Sequence, residues 1–289
     1  MSNHSEVPVP GEAIDLSSLS ERLQTVERRA RRLGVRVRAL VVSGDQQIEK
    51  QADQPMFAAS LGKLPLADMV IEQLDSDELI DVEALAITHP RTGERIEKQS
   101  VGDLLECMLK HSSNVAYRVL AERLGGSAEI QGYYAHHGWH ATSVLGGGPT
   151  GRALIGETSP VDALDQLGGL LAPDTENGVL PQTAVQSLRD NAVKRYGIRR
   201  VVPPNDEVQI WNKTGEYNGD LVDPWAYRHD VGRVTGPDGT IDYALMTSTT
   251  PRKKVLADLV VGRMTAEVAA SAGGPRACGV GRHILRLLR

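Results

Sequence analysis

Residues 56–70, MFAASLGKLPLADMV, stand where extended patterning gives way to helical periodicity. Within them Ser60 and Lys63 lie three apart, a spacing that puts both side chains on the same side of a helix. An ammonium becomes a base only when burial or a neighbouring positive charge lowers its pKa. By frequency about one Ser-x-x-Lys arises by chance in a chain of this length. The pair alone therefore reads as an ordinary helix start, and its surroundings decide its meaning.

Upstream, LSSLSERLQTVERRARRL carries Leu16, Leu19, Leu23, Val26 and Ala30 at spacings of three and four, one apolar stripe of a helix. VRVRALVVS from Val35 alternates and then turns fully apolar. With the Gly44-Asp45 turn and QQIEKQA after it, this predicts a hairpin. Downstream, from Pro65 to about Leu170, LADMVIEQL, SVGDLLECMLK, NVAYRVLAERLGG and SAEIQGYYAHHG are helical runs with polar or Gly stops. SPVDALDQLGGLL opens with Ser159 as N-cap and Pro160 at the first helical position. The last third returns to strands in EVQIWNKTG, HDVGRVTG and IDYALMTST, and the helix KKVLADLVVGRMTAEVAAS follows. This order predicts an α+β fold whose antiparallel sheet takes strands from both ends of the chain. It divides into a tail at 1–15, expected to be disordered, and one domain at 16–289. The sheet region of that domain is about 16–60 and 200–275, and its helical part about 61–200.

The chain has 289 residues, 40% hydrophobic and 24% charged, with no stretch near the ~18 apolar residues of a membrane span. Its net charge of -5 gives the whole molecule no attraction to phosphate backbones, and the basic run from Arg28 to Arg38 reads as a solvated surface. Neither membrane nor nucleic acid is expected as a partner. The N-terminus is acidic, punctuated by Pro and unlike a secretory signal, so a cytoplasmic location is expected. Two cysteines, Cys107 and Cys278, are too few for a disulfide framework and read as free thiols.

Two further polar groups stand out, His111-Ser112-Ser113-Asn114 between helical runs and Lys213-Thr214-Gly215 on a strand. Separately, Ser112 could cap a helix and the second group could end a strand in a turn. Taken in order with Ser60-x-x-Lys63, they resemble the three signatures of the serine penicillin-recognising enzymes. FAASLGKLPLA, HSSNVAYRVLAERLGG, GETSPVDALDQLGGLL and IWNKTGEYNG…RHDVGRV narrow the likeness to the class A β-lactamase-like family, from about Val35 to Ser271. The resemblance implies an antiparallel sheet flanked by helices, an all-helical subdomain, and a site between them. It also implies roles: Ser60 attacks a carbonyl, Lys63 accepts its proton, and Ser112 relays a proton to the leaving group. Asn114 would bind Lys63 and the substrate amide. Lys213, with Thr214 and Gly215 beside it, would tune neighbouring pKa values and hold a substrate carboxylate. The backbone N–H groups of Ser60 and Glu216 would form the oxyanion hole.

Three departures from that family's pattern matter. Ser113 replaces the Asp of Ser-Asp-Asn, which bears on local rigidity. WHATSVLGGGPTGRALIGETSP lacks the Ω-loop Glu that activates the deacylating water and looks shortened and Gly-rich; its acid, Glu157, could cap the next helix or act as a displaced base. Glu216 follows the Lys-Thr-Gly group. A carboxylate there repels a substrate carboxylate and points to a neutral, amine or guanidine substrate, unless it faces solvent or pairs with an Arg such as Arg228. Among the histidines, His136, His137, His140 and His229 show no metal-ligand spacing with a matching carboxylate, while His111 and His229 adjoin the motifs. Trp211, Trp225, Tyr217 and Tyr227 bracket the Lys-Thr-Gly strand and could line a pocket, with Trp211 equally suited to the core. The expectation is a serine acyl-enzyme hydrolase or acyltransferase, without cofactor or metal, acting on a small-molecule amide, lactam or ester. Natural-product biosynthesis or detoxification is the setting it suggests. The rivals are a slow β-lactamase and a protein acylated once without turnover, and the sequence leaves the oligomeric state open.

Overall fold

The computed structural model describes residues 14–82, 97–147, 152–172, 178–193, 196–202, 207–220 and 223–275. The expected tail up to residue 13, Cys278 and the centre of the Gly-rich segment at 148–151 lie outside them. Helix α1 (Ser17–Arg32) buries Leu19, Leu23, Val26 and Ala30, the stripe that the spacing predicts. Gly34, at φ 81°, turns the chain into β1 (Arg36–Ser43), and β2 (Gln46–Lys50) pairs back on it across the Gly44-Asp45 turn. After β3 (Met56–Phe57) and a 3₁₀ turn at Ala59–Gly62 comes α2 (Lys63–Gln73). Leu64, Leu66, Ala67, Met69 and Val70 of α2 are all buried, so this helix is enclosed on nearly every side and runs through the core.

Next come β4 (Leu79–Asp81), β5 (Lys98–Ser100), α3 (Val101–Lys110), α4 (Asn114–Arg123) and α5 (Ser127–His136). They are followed by β6 (Val144–Gly147), β7 (Arg152–Ile155), β8 (Glu157–Thr158), α6 (Pro160–Leu170), α7 (Val179–Arg189) and α8 (Ile198–Val201). Ser100, Ser113 and Ser159 cap α3, α4 and α6 by accepting from the backbone N–H three residues on. The helical middle is interrupted by three two-stranded pairings, β3 with β8, β4 with β5 and β6 with β7. The segment expected as a shortened Gly-rich loop thus forms a hairpin, with Leu145 opposite Leu154. These two leucines are 50% and 47% exposed, so no alternation of buried and exposed residues marked the strands in the sequence.

Strands β9 (Gln209–Tyr217), β10 (Ala226–Gly236) and β11 (Gly239–Thr249) and helix α9 (Lys254–Ser271) complete the described chain. The five-stranded sheet has the order β2-β1-β11-β10-β9, antiparallel throughout, so N-terminal β1 lies beside β11 near the other end. Its two faces carry separate cores. Val41, Ile210, Val234, Tyr243 and Leu245 pack with α1 and α9, whereas Trp211, Val231, Ala244 and Met246 pack with α2 and its neighbouring helices. Period-two alternation along each strand makes this division, and it sends the side chain of Lys213 to the α2 face.

Candidate active site

Three segments meet at the N-terminus of α2. The first is the turn bearing Ser60, where Leu61 N–H donates to the Ala58 carbonyl at 3.1 Å and Ala59 takes φ 48°, a left-handed value costly for a residue with a Cβ. The second is the α3–α4 connection, where Ser112 has φ 57°. Ser113 N–H donates to the Cys107 carbonyl at 3.1 Å and its hydroxyl accepts from Ala116 N–H at 3.1 Å. The helix cap is therefore Ser113, which leaves the Ser112 hydroxyl to face inward. The third is β9. A Cβ on Gly215 would stand 3.0 Å from the Ala58 carbonyl oxygen and 3.2 Å from Leu61 Cγ, so glycine permits the strand to approach the Ser60 turn.

These segments bring Ser60, Lys63, Ser112, Asn114 and Lys213 together. Lys63 Nζ lies 2.8 Å from Ser60 Oγ, 2.7 Å from Asn114 Oδ1 and 3.4 Å from Ser112 Oγ. Lys213 Nζ donates to Ser112 Oγ at 2.9 Å and to the Thr214 carbonyl at 3.1 Å. Both lysines are completely buried. Loss of water around the ammonium lowers the Lys63 pKa to about 7. Burial, and then the charge of Lys63, push Lys213 well below its ordinary value. The pair therefore carries fewer than two charges at neutral pH, and an amine able to accept a proton sits against a serine hydroxyl.

The remaining predicted residues fall into different surroundings. Thr214 is buried, and strand alternation directs it to the face opposite Lys213. Glu216 lies across from Arg228 in the sheet and 3.4 Å from its guanidinium. Arg228 also binds Asp258 and the carbonyls of Tyr217 and Tyr227, so of the placements open to Glu216 the pairing with Arg228 is the one adopted. His229 is fully buried with Nδ1 accepting from Thr247 N–H at 3.2 Å, which makes Nε2 the protonated nitrogen that donates to the Phe57 carbonyl at 2.9 Å. Burial lowers its pKa to about 4, so it is neutral and engaged on both sides by backbone. His111 is exposed at the end of α3. Glu157 is exposed in β8 opposite Phe57, two residues ahead of the cap Ser159, and does not lie in the first turn of α6. Trp211 belongs to the core, and Trp225 carries Arg36 4.7 Å above its ring.

Two features escaped sequence reasoning. A Cβ on Gly62 would stand 2.8 Å from Ile155 Cγ2, so β7 lays an apolar side chain against the turn between Ser60 and Lys63. Asp68, Glu72 and His137 bring their ligand atoms within 4.8 Å of one another, the grouping among the described residues that could hold a metal ion. The chain brings α5 against α2 to assemble it, which is why no spacing within the sequence disclosed it. It lies about one and a half to two and a half turns of α2 beyond Lys63.

This fold, with a serine hydroxyl held against a buried lysine, is that of a serine hydrolase acting on amide or lactam bonds. A family profile described as "Beta-lactamase enzyme family" matches residues 18–271, and the chain belongs to that family. A β-lactamase from Sphaerobacter thermophilus superposes with a TM-score of 0.70 at 22% identity, covering 90% of this chain and 98% of that one. One from Chitinophaga pinensis gives 0.72 at 19% identity, covering 89% and 100%. One from Xanthomonas campestris pv. campestris gives 0.70 at 18%, covering 86% and 97%. At these identities the likeness is one of fold. No curated protein matches the chain in sequence.

Proposed function

We propose that this chain is an acyl-enzyme hydrolase or acyltransferase of small-molecule amides, esters or lactams, with Ser60 as nucleophile. The observation that carries it is the 2.8 Å approach of a buried, low-pKa Lys63 amine to Ser60 Oγ. Neutral Lys63 takes the Ser60 proton as Oγ attacks the carbonyl, while Ser112, held by Lys213, passes a proton to the departing amine or alkoxide. Asn114 orients Lys63 and offers its amide to the substrate. Backbone N–H groups of Ser60 and Glu216 are the oxyanion donors in this reading, each worth about 3 kcal/mol. Biosynthesis or detoxification of a small natural product is the role that suits this chemistry.

The test is intact mass recorded over time after mixing with benzylpenicillin or with a p-nitrophenyl ester. A covalent acyl adduct is expected in the wild type, and about a thousandfold slower formation or none in Ser60→Ala. An adduct of equal yield in Ser60→Ala would overturn the assignment. A second reading, acylation without efficient turnover, is favoured by the surroundings of the turn, where the apolar Ile155 side chain packs against Gly62 and Glu157 lies exposed in β8. A penicilloyl adduct outlasting the free drug supports it, and rapid return to unmodified mass removes it.

A further inference from the structure

We infer that the cavity beside Ser60 selects substrates whose acyl group carries a cation, an ammonium or guanidinium, and disfavours carboxylate-bearing ones. This rests on the acyl-enzyme reading of Ser60. The cavity has a volume of about 920 Å³ and its lining includes Asn114, which accepts from Lys63, the lysine 2.8 Å from Ser60 Oγ. Phe57, Tyr217 and Tyr227 form an aromatic cluster in its wall, with ring centroids 4.9, 5.5 and 6.2 Å apart. The electron-rich faces of such rings attract a cation and do nothing for an anion.

The charges in the lining agree. Among the described lining residues Glu157, Asp220 and Asp223 supply carboxylates around that cluster against one cation, Arg118, while Arg38 interacts with Glu157 and Tyr227 from outside the lining. Asp220 lies close enough to Tyr217, and Asp223 to Tyr227, to disfavour ionisation of each phenol, so the acids and the rings share one region of the wall. The groups that could receive a substrate carboxylate are weakened for that purpose, because Lys213 is completely buried and bound to Ser112, and Arg228 is engaged by Asp258 and Glu216. For an amide substrate the Ser60 ester bond forms as the acyl C–N bond breaks. The Ser60 proton passes to Lys63, the amine leaves with the hydroxyl proton of Ser112, and Lys63 returns its proton to Ser112 Oγ, 3.4 Å away. Water then cleaves the ester, restores Ser60 and releases the cationic acid.

Two measurements test this. The first compares acylation rates of the wild type with p-nitrophenyl esters of trimethylammoniobutyric acid, of its uncharged tert-butyl isostere and of glutaric acid. The cationic ester is expected to react about tenfold faster than the isostere and about a hundredfold faster than the glutaryl ester. The cation-to-isostere ratio should collapse towards unity in Asp220→Asn/Asp223→Asn. The second is calorimetric titration of Ser60→Ala with the unreactive amides of the same three acids, in which the cationic amide is expected to bind most tightly. Equal binding of the three amides, or preference for the anionic one, overturns the inference whatever the chemistry. Preferential binding of the cation with no Ser60-dependent acylation upholds the cavity and removes the acyl-enzyme reading.

Discussion

Lys63 is where burial becomes chemistry. With its pKa near 7, the fraction of neutral amine falls about tenfold for each pH unit below that point. The rate of acylation by an uncharged ester should therefore rise with pH through about 7 and level off above it, as stopped-flow release of p-nitrophenolate would show. A profile flat from pH 5 to about 9 would remove Lys63 as the base. At Ser113, a hydroxyl caps α4 through Ala116 N–H. An Asp side chain offers an oxygen of the same kind, so the departure from Ser-Asp-Asn keeps the cap. Ser113→Ala should cost about 1 kcal/mol in urea denaturation, and Ser113→Asp should be nearly neutral.

Among the elements, the β6–β7 hairpin sets what packs on the turn between Ser60 and Lys63. Ile155 sits so close to Gly62 that Gly62→Ala forces it aside, a strain of about 1–3 kcal/mol. Ile155→Ala should relieve it, so denaturation of the two single variants and the double variant should give a favourable coupling energy. Additive effects would mean that the hairpin is not seated on this turn. At β9, Gly215 and Lys213 share one face because side chains alternate, and that one-residue register sets which polar groups reach α2.

For the molecule as a whole, two buried lysines are a stability cost, incurred for the reactive centre proposed at Ser60. In the folded chain Lys63 titrates near 7, whereas in the unfolded chain it titrates near the ordinary lysine value of about 10.4. Between these values the unfolded state binds more protons, so stability increases with pH across that window and the penalty is full below it. Lys213, shifted in the same direction, adds to the effect. Thermal denaturation should show the melting temperature rising from pH about 7 to about 9, with a smaller rise in Lys63→Met. An equal slope in that variant would assign the pH dependence to other groups.

The sequence by itself determined the larger elements and their order. Leu19, Leu23, Val26 and Ala30 mark one helix, Ser159-Pro160 starts another, and the three strand runs before α9 need only local periodicity and turn chemistry to be recognised. It also singled out Ser60, Lys63, Ser112, Asn114 and Lys213, because three short motifs, each ordinary alone, resemble one family's signatures when taken in order. Their meeting was left to the tertiary structure, since Ser112 and Lys213 are a hundred and one positions apart and only the packing of β9 and the α3–α4 connection around α2 joins them. So were the lowered pKa of Lys63, the Ile155 contact, the partner of Glu216 and the Asp68–Glu72–His137 cluster. Burial and charge proximity belong to pairs of residues distant along the chain, and composition and spacing carry no trace of them until the core closes.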